Sequence, residues 1–408
     1  MTQVAGVAEI RSHFPALERT HNGLAVAYFD GPGGTQVPRA VAAAVSDYLL
    51  NHNANTHWDF PSSRETDAAL AAARAALADY LGGAVDEIVF GANMTTLTFH
   101  LGRALGRGWR SGDVVVVTEL DHHANSDTWR ALARERGVEI RAIRMRREDG
   151  RLDEDDAAAK LTPGVRLLAL GAASNALGTI NEVARLTARA HACGARVFID
   201  GVHYASHQLP DVRAWNCDFF ACSAYKFYGP HVGVLWGRRE LLAALDPPKL
   251  APASDQPPEL LETGTLNHEG IVGAGAAVDF LASLAGGRAP RRERLALVSQ
   301  VLHERADALL RQLWNGLEQT AGVKVYGPPP GTARTATLSF SLAGHTSAAV
   351  AAALAARGVF VSHGDFYATT AVRLLGHERD GLVRAGCAAY TTADEIGRLL
   401  EGVRQLLR

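Results

Sequence analysis

The sequence predicts an α/β fold: a mostly parallel sheet covered by helices on both faces, followed by a smaller α+β domain. Three features predict it. From Glu87 onward, short and almost continuously apolar runs alternate with stretches of helical spacing, the pattern of a sheet buried on both faces. Polar residues able to do chemistry (93–96, 121–123, Asn175, 200–203 and 223–226) fall just after those runs, where parallel sheets gather ligands. Beyond a proline-rich connector at 246–258, strands and helices follow in mixed order.

Taken in order, residues 1–25 read as an N-terminal arm with a short helix, on the side of the smaller domain. Tyr28-Phe29-Asp30-Gly31-Pro32-Gly33-Gly34 is a strand end entering a tight turn, because Gly and Pro set the backbone there. Apolar spacing predicts a helix over 38–50, an irregular polar stretch over 51–63, and an alanine-rich helix over 65–81 stopped by Gly82-Gly83. Strands are expected at 88–90, 114–118, 140–143, 167–170, 197–199 and 219–223, with helices such as 128–136 and 183–193 between them. After the connector come a long amphipathic helix (292–317), strands at 323–326, 336–341, 359–362 and 382–386, and helices at 347–357 and 393–407. The expected division is an arm (1–25), a large domain (26–260), an interface segment and linker (261–290), and a small domain (291–408).

Composition narrows the function. A net charge of −2 without a polybasic block argues against nucleic acid or an anionic membrane as the main partner. No apolar run is long enough to cross a bilayer, and the first fifteen residues lack a signal-peptide layout. Four cysteines without paired spacing argue against a disulfide framework or structural zinc, so a reducing cytoplasm is expected.

The informative stretch is Cys222-Ser223-Ala224-Tyr225-Lys226-Phe227-Tyr228-Gly229-Pro230, set between two apolar runs. A lysine there must leave water unless its amine is neutral or covalently bound. Only four lysines occur among the 41 basic residues, and arginine cannot form an imine, so Lys226 invites a chemical role. The alternative is an interfacial lysine that reaches solvent. Asp200 closes another apolar run, and a protonated pyridine nitrogen would supply the cation it needs; capping an Asp-Gly turn is the simpler use. Thr95 and Met94 open a helix after a strand, which suits a phosphate or merely an N-cap. His122 and His123 end a strand, where an imidazole could lie on an aromatic cofactor, and no third ligand supports a metal. Arg384 could grip a carboxylate through two bonds, or lie on the surface.

Together, Tyr28-Phe29-Asp30-Gly31, Asp121-His122-His123-Ala124-Asn125, Ser174-Asn175-Ala176-Leu177-Gly178-Thr179-Ile180, Asp200-Gly201-Val202-His203, Ser223-Ala224-Tyr225-Lys226 and Gly264-Thr265-Leu266-Asn267 occur in an order that resembles class V aminotransferases. The chain is similar to their cysteine desulfurase and selenocysteine lyase branch. The resemblance implies a fold-type I pyridoxal 5'-phosphate enzyme with a seven-stranded sheet, working as a homodimer with shared active sites on a small amino-acid substrate. It implies that Lys226 forms the Schiff base, Asp200 pairs with the ring nitrogen, His123 stacks on the ring and His203 lies near the phenolic oxygen. Thr95, Met94 and Ser223 would surround the phosphate, with Thr265 reaching the neighbouring subunit's phosphate. Asn175 and Arg384 would hold the substrate carboxylate.

The sequence departs from that branch in three places. Tyr225 stands where histidine is usual, 93–96 differs from the usual phosphate segment, and Tyr367 takes the place of the sulfur-accepting loop cysteine. A phenol cannot form a persulfide. The expectation is therefore a C–S lyase working by β-elimination, with Tyr367 or His363 as candidate proton donors and Cys387 as a remote substitute nucleophile. Transamination or epimerisation would use the same carbanion, and a non-catalytic partner protein is a further alternative.

Overall fold

The computed structural model describes residues 3–407; Met1, Thr2 and Arg408, at the ends of the expected arm and small domain, lie outside the described residues. The apolar runs become β1 Ile88–Gly91, β2 Val114–Thr118, β3 Glu139–Ile143, β4 Val165–Gly171, β5 Arg196–Asp200, β6 Phe219–Ser223 and β7 Gly233–Gly237. They form one seven-stranded sheet in the order β1-β7-β6-β5-β4-β2-β3. β7 is antiparallel to both its neighbours, and the other paired strands run parallel. Alternate residues of each strand enter opposite cores: Val114, Leu168, Val197 and Phe220 join one cluster, while Val115, Leu167, Phe198 and Phe219 join the other. That period-two division is why the runs are apolar throughout.

The segment expected as a linker contains a helix, His268–Ser283, packed against the helices Pro61–Leu81 and Arg39–Asp47. It is buried on most sides and rich in Gly and Ala, so it carries no polar stripe to reveal its period. A Cβ on Gly275 would lie 2.8 Å from the Ala73 Cα, so the two backbones touch there and packing outweighs poor helix propensity.

The second sheet, β8 Val323–Tyr326, β9 Thr337–Leu342, β10 Ser362–Gly364 and β11 Leu382–Gly386, is antiparallel in the order β8-β9-β11-β10. The helices Arg291–Glu318, Ser347–Ala356 and Ala393–Gln405 contribute to its core. Ala27–Tyr28, which the sequence reading puts at the start of the large domain, instead pairs in parallel with Val359–Phe360, and Phe29 enters the small-domain core. The arm is tied to the last helix by Arg11, whose Nη1 lies 3.0 Å from Glu395 Oε1.

Arg334 clamps the two sheets together. It is 2% exposed, lies over the Trp314 ring at 4.9 Å, and donates to the carbonyls of Leu177, Thr337 and Pro328. Ser339 Oγ donates to Ala176 O at 2.7 Å, and Thr335 N to Gly178 O at 2.8 Å. Gly178 makes this approach possible: its φ is +78°, and a Cβ there would meet Thr337 O at 2.3 Å. The turn carrying Asn175 is thus fixed against β9. Among the described residues no helix is long and apolar enough to cross a membrane, and no cluster of three or more His, Cys, Asp or Glu could hold a metal.

Candidate active site

β5 ends on Asp200 and β6 on Ser223, and one short turn then delivers Lys226 to the same edge. Lys226 is 9% exposed; its Nζ donates to Pro32 O at 2.5 Å and lies 4.9 Å from the Tyr225 ring centre. Burial, then the positive Arg384, push its pKa down to about 7, against the pull of Asp200. Asp200 accepts Val202 N–H at 2.9 Å, yet burial raises it to about 6 despite that bond and Lys226. A buried carboxylate held so high lacks a cation. Beside it Asp121 accepts Gly171 N–H at 3.0 Å and Asn125 Nδ2 at 2.9 Å. Burial, then the charge of Asp200, push Asp121 up to about 8.

The helix Met94–Leu105 points its N-terminus at this edge. Asn93 caps it by accepting Thr96 N–H at 2.9 Å, and Met94 N–H donates to Ser223 Oγ at 3.0 Å. Gly233 permits the close seat, since a Cβ there would meet the Asn93 backbone at 2.4 Å. Thr95, Ser223 and the positive helix end therefore face one corner suited to an anion. Tyr225 closes that side, stacked on His231 at 4.8 Å.

The two histidines divide. His123 has both ring nitrogens engaged, with Asp127 Oδ2 at 2.9 Å and Thr370 Oγ1 at 3.2 Å. Among the described residues His122 has only Nδ1 engaged, by Ala124 N–H at 3.0 Å, and burial followed by the charges of Lys226, His123 and Arg384 lowers its pKa to about 4. The ring exposed to the amine and guanidinium is therefore that of His122, against the expectation for His123. The Asp-His-His string alone does not say which imidazole turns inward.

Arg384, on β11, donates to Asn175 O at 3.0 Å and lies 3.4 Å from Ser362 Oγ, with Phe366 over its face at 4.3 Å. Asn175 Nδ2 in turn donates to Phe366 O at 2.9 Å. Phe366 and Tyr367 adopt φ of +58° and +55°, a left-handed pair pinned by that bond and by His123 N–H to Tyr367 O at 2.7 Å. Tyr367 is 71% exposed and stacks on His122 at 5.4 Å. Asn175 Oδ1, His203 Nδ1 and Arg384 Nε are buried without a partner among the described residues.

These groups line one cavity of about 1000 Å³. Lys226, Asp200, His123, His203, Thr95, Met94, Ser223, Asn175, Arg384, Tyr367 and His363 all border it. Asp121, Tyr225 and Phe366, to which the sequence assigns no role, border it too, as does His122, the other imidazole of the pair considered for the cofactor. Thr265 lies exposed away from the cavity. Cys387 is buried in the small-domain core, and burial pushes its thiol up to about 12, which removes it as a nucleophile.

A model of the aminotransferase class-V family matches residues 27–399. The chain belongs to that family. It is 32% identical to a cysteine desulfurase of Dickeya dadantii, over 98% of this chain and 97% of the relative, and 31% identical to one of Serratia proteamaculans, over 98% of both. The apo structure of a cysteine desulfurase from Thermococcus onnurineus superposes with a TM-score of 0.90 at 28% identity, covering 100% of this chain and 99% of the other. An Escherichia coli cysteine desulfurase gives a TM-score of 0.85 at 27% identity, with 99% of each chain covered. The chain is thus a class V, pyridoxal phosphate-dependent enzyme of fold type I. Its cavity fits that cofactor: an amine for the aldehyde, an uncompensated carboxylate for the ring nitrogen, and a helix end for the phosphate.

Proposed function

We propose that the protein is a C–S lyase that eliminates a sulfur leaving group from the β-carbon of an α-amino acid. Lys226 would hold the cofactor, with Asp200 at the ring nitrogen, His122 against the ring, His203 at the phenolic oxygen, and Thr95 and Ser223 at the phosphate. Bound there, the cofactor supplies an electron sink for a carbanion at the substrate α-carbon. Arg384 would grip the carboxylate through the buried Nε that lacks a partner, and Asn175 through the second hydrogen of the Nδ2 amide that already donates to Phe366 O. That grip orients the α-hydrogen towards Lys226 Nζ, whose low pKa leaves it free to accept a proton near neutrality. Tyr367 or His363, at the rim, would supply a proton to the departing sulfur.

The reading rests on one observation: the amine, carboxylate and guanidinium line a single cavity that none of the four cysteines borders. Elimination needs no enzyme thiol, whereas persulfide formation does. Cysteine, cystine and S-substituted cysteines should yield pyruvate, ammonia and the corresponding thiol, hydrosulfide or persulfide. No pyruvate from any of them sinks the reading. A pyridoxamine form appearing with amino donors, or loss of optical activity, would redirect it to transamination or epimerisation. Lys226→Ala should abolish turnover, whereas a non-catalytic partner would keep its role without that amine.

The enzyme is further proposed to work as a cytoplasmic homodimer. Leu49, Leu50, Trp58 and Phe60 are exposed apolar side chains, the kind of surface that a second copy covers. In such a dimer Thr265 would serve the neighbouring subunit's phosphate.

A further inference from the structure

We propose that Thr335 is a positioning residue for the cofactor site: its hydroxyl donates to His203 Nε2, places the imidazole proton on Nδ1, and so presents an N–H donor to the phenolic oxygen of bound pyridoxal phosphate. The proposal deepens the placement of His203 in the preceding section and rests on it. His203 is 3% exposed, and its Nε2 lies 3.0 Å from Thr335 Oγ1. Its other nitrogen, Nδ1, is buried and has no partner among the described residues. The groups around the ring are His207, in edge contact at 4.8 Å, and the charges of Arg384 and Lys226. Burial, followed by these neighbours, keeps the imidazole neutral, so it carries a single N–H.

The position of that N–H follows from the hydroxyl. Thr335 is fully buried and has one hydrogen to give, with two acceptors in reach: His203 Nε2 at 3.0 Å and Gly178 O at 3.5 Å. At 3.5 Å the Gly178 carbonyl, which also receives the Thr335 backbone N–H at 2.8 Å, lies at the limit of a hydrogen bond, so the imidazole at 3.0 Å takes the hydroxyl hydrogen. Nε2 then accepts, and Nδ1 must carry the proton. Thr335 itself is held between the Arg334 clamp and β9, which makes the small domain the source of the tautomer.

The test uses two readouts. In the 15N-histidine-labelled apoprotein, long-range correlation spectra should show His203 as the Nδ1–H tautomer, its signal assigned by its loss in His203→Gln. An Nε2–H signal overturns the proposal, and this measurement needs no Thr335 variant to fold. In the reconstituted protein, a donor to the phenolic oxygen favours the deprotonated chromophore. Thr335→Val should therefore raise the midpoint of the visible-absorbance pH titration by about one unit and weaken cofactor binding about tenfold in equilibrium dialysis. Thr335→Ser should restore both. Wild-type behaviour of Thr335→Val in both assays also overturns it. A wild-type protein that takes up no cofactor would instead sink the cofactor reading and leave the apoprotein spectrum to decide the tautomer.

Discussion

Reconstitution of the apoprotein tests the environment of Lys226 directly. Its pKa falls from an ordinary 10.5 to about 7, chiefly through burial and then Arg384. That is a bias of roughly 4–5 kcal/mol against the charged amine. At pH 7.5 about three quarters of the amine is then neutral, against about one part in a thousand for an exposed lysine, a several-hundred-fold gain in nucleophile. The rate constant for chromophore formation after mixing with pyridoxal phosphate, followed by stopped-flow absorbance, should rise through a midpoint near pH 7 and level off above it. Asp200→Asn removes the charge that favours the ammonium and should lower the midpoint by about one unit; Arg384→Gln should raise it similarly. A midpoint above pH 9, or one that neither variant moves, would refute the reasoning.

Other expectations follow from single contacts. In the holoenzyme, Asp200→Asn should reduce kcat about 10²–10⁴-fold, as steady-state kinetics can check, because the charge that holds the ring nitrogen protonated is lost. Arg384→Lys should raise KM for the amino acid about 10–100-fold, since an ammonium cannot reproduce the guanidinium fork. His122→Ala should shift the cofactor spectrum and weaken its binding, while His123→Ala, whose ring is tied to Asp127 and Thr370, should change both less. Asp200 and Asp121 keep their protons to about 6 and about 8 in the folded chain, so their stabilising contribution falls as pH rises from about 4 through those values. The urea midpoint of the apoprotein relative to that of Asp121→Asn should show that decline up to about pH 8, because the opposite contribution of the buried, neutral His122 and His203 cancels in the difference.

Much of the large domain was legible because its strands are apolar on both faces and its reactive residues follow them. The expected runs at 114–118 and 219–223 coincide with β2 and β6, and Lys226 and Asp200 share an edge because their strands are neighbours in the sheet. What escaped the reading depends on contacts across long separations. Ala27–Tyr28 pairs with Val359–Phe360, a register that nothing local specifies. The helix His268–Ser283 lacks a polar face and so looks like a linker. The choice between His122 and His123 depends on where Asp127 and Thr370 lie, and Thr335 acquires its contact only when the small domain docks on Gly178. Cys387 reads as a strand-end thiol but enters the core because its strand lies between two others.

The central claim is that one buried amine captures the cofactor. Borohydride reduction of the reconstituted protein, followed by proteolysis and mass spectrometry, should place the pyridoxyl group on Lys226 alone, and Lys226→Ala should abolish the label. A label on Lys160, Lys249 or Lys324, or none at all despite bound cofactor, would contradict the account.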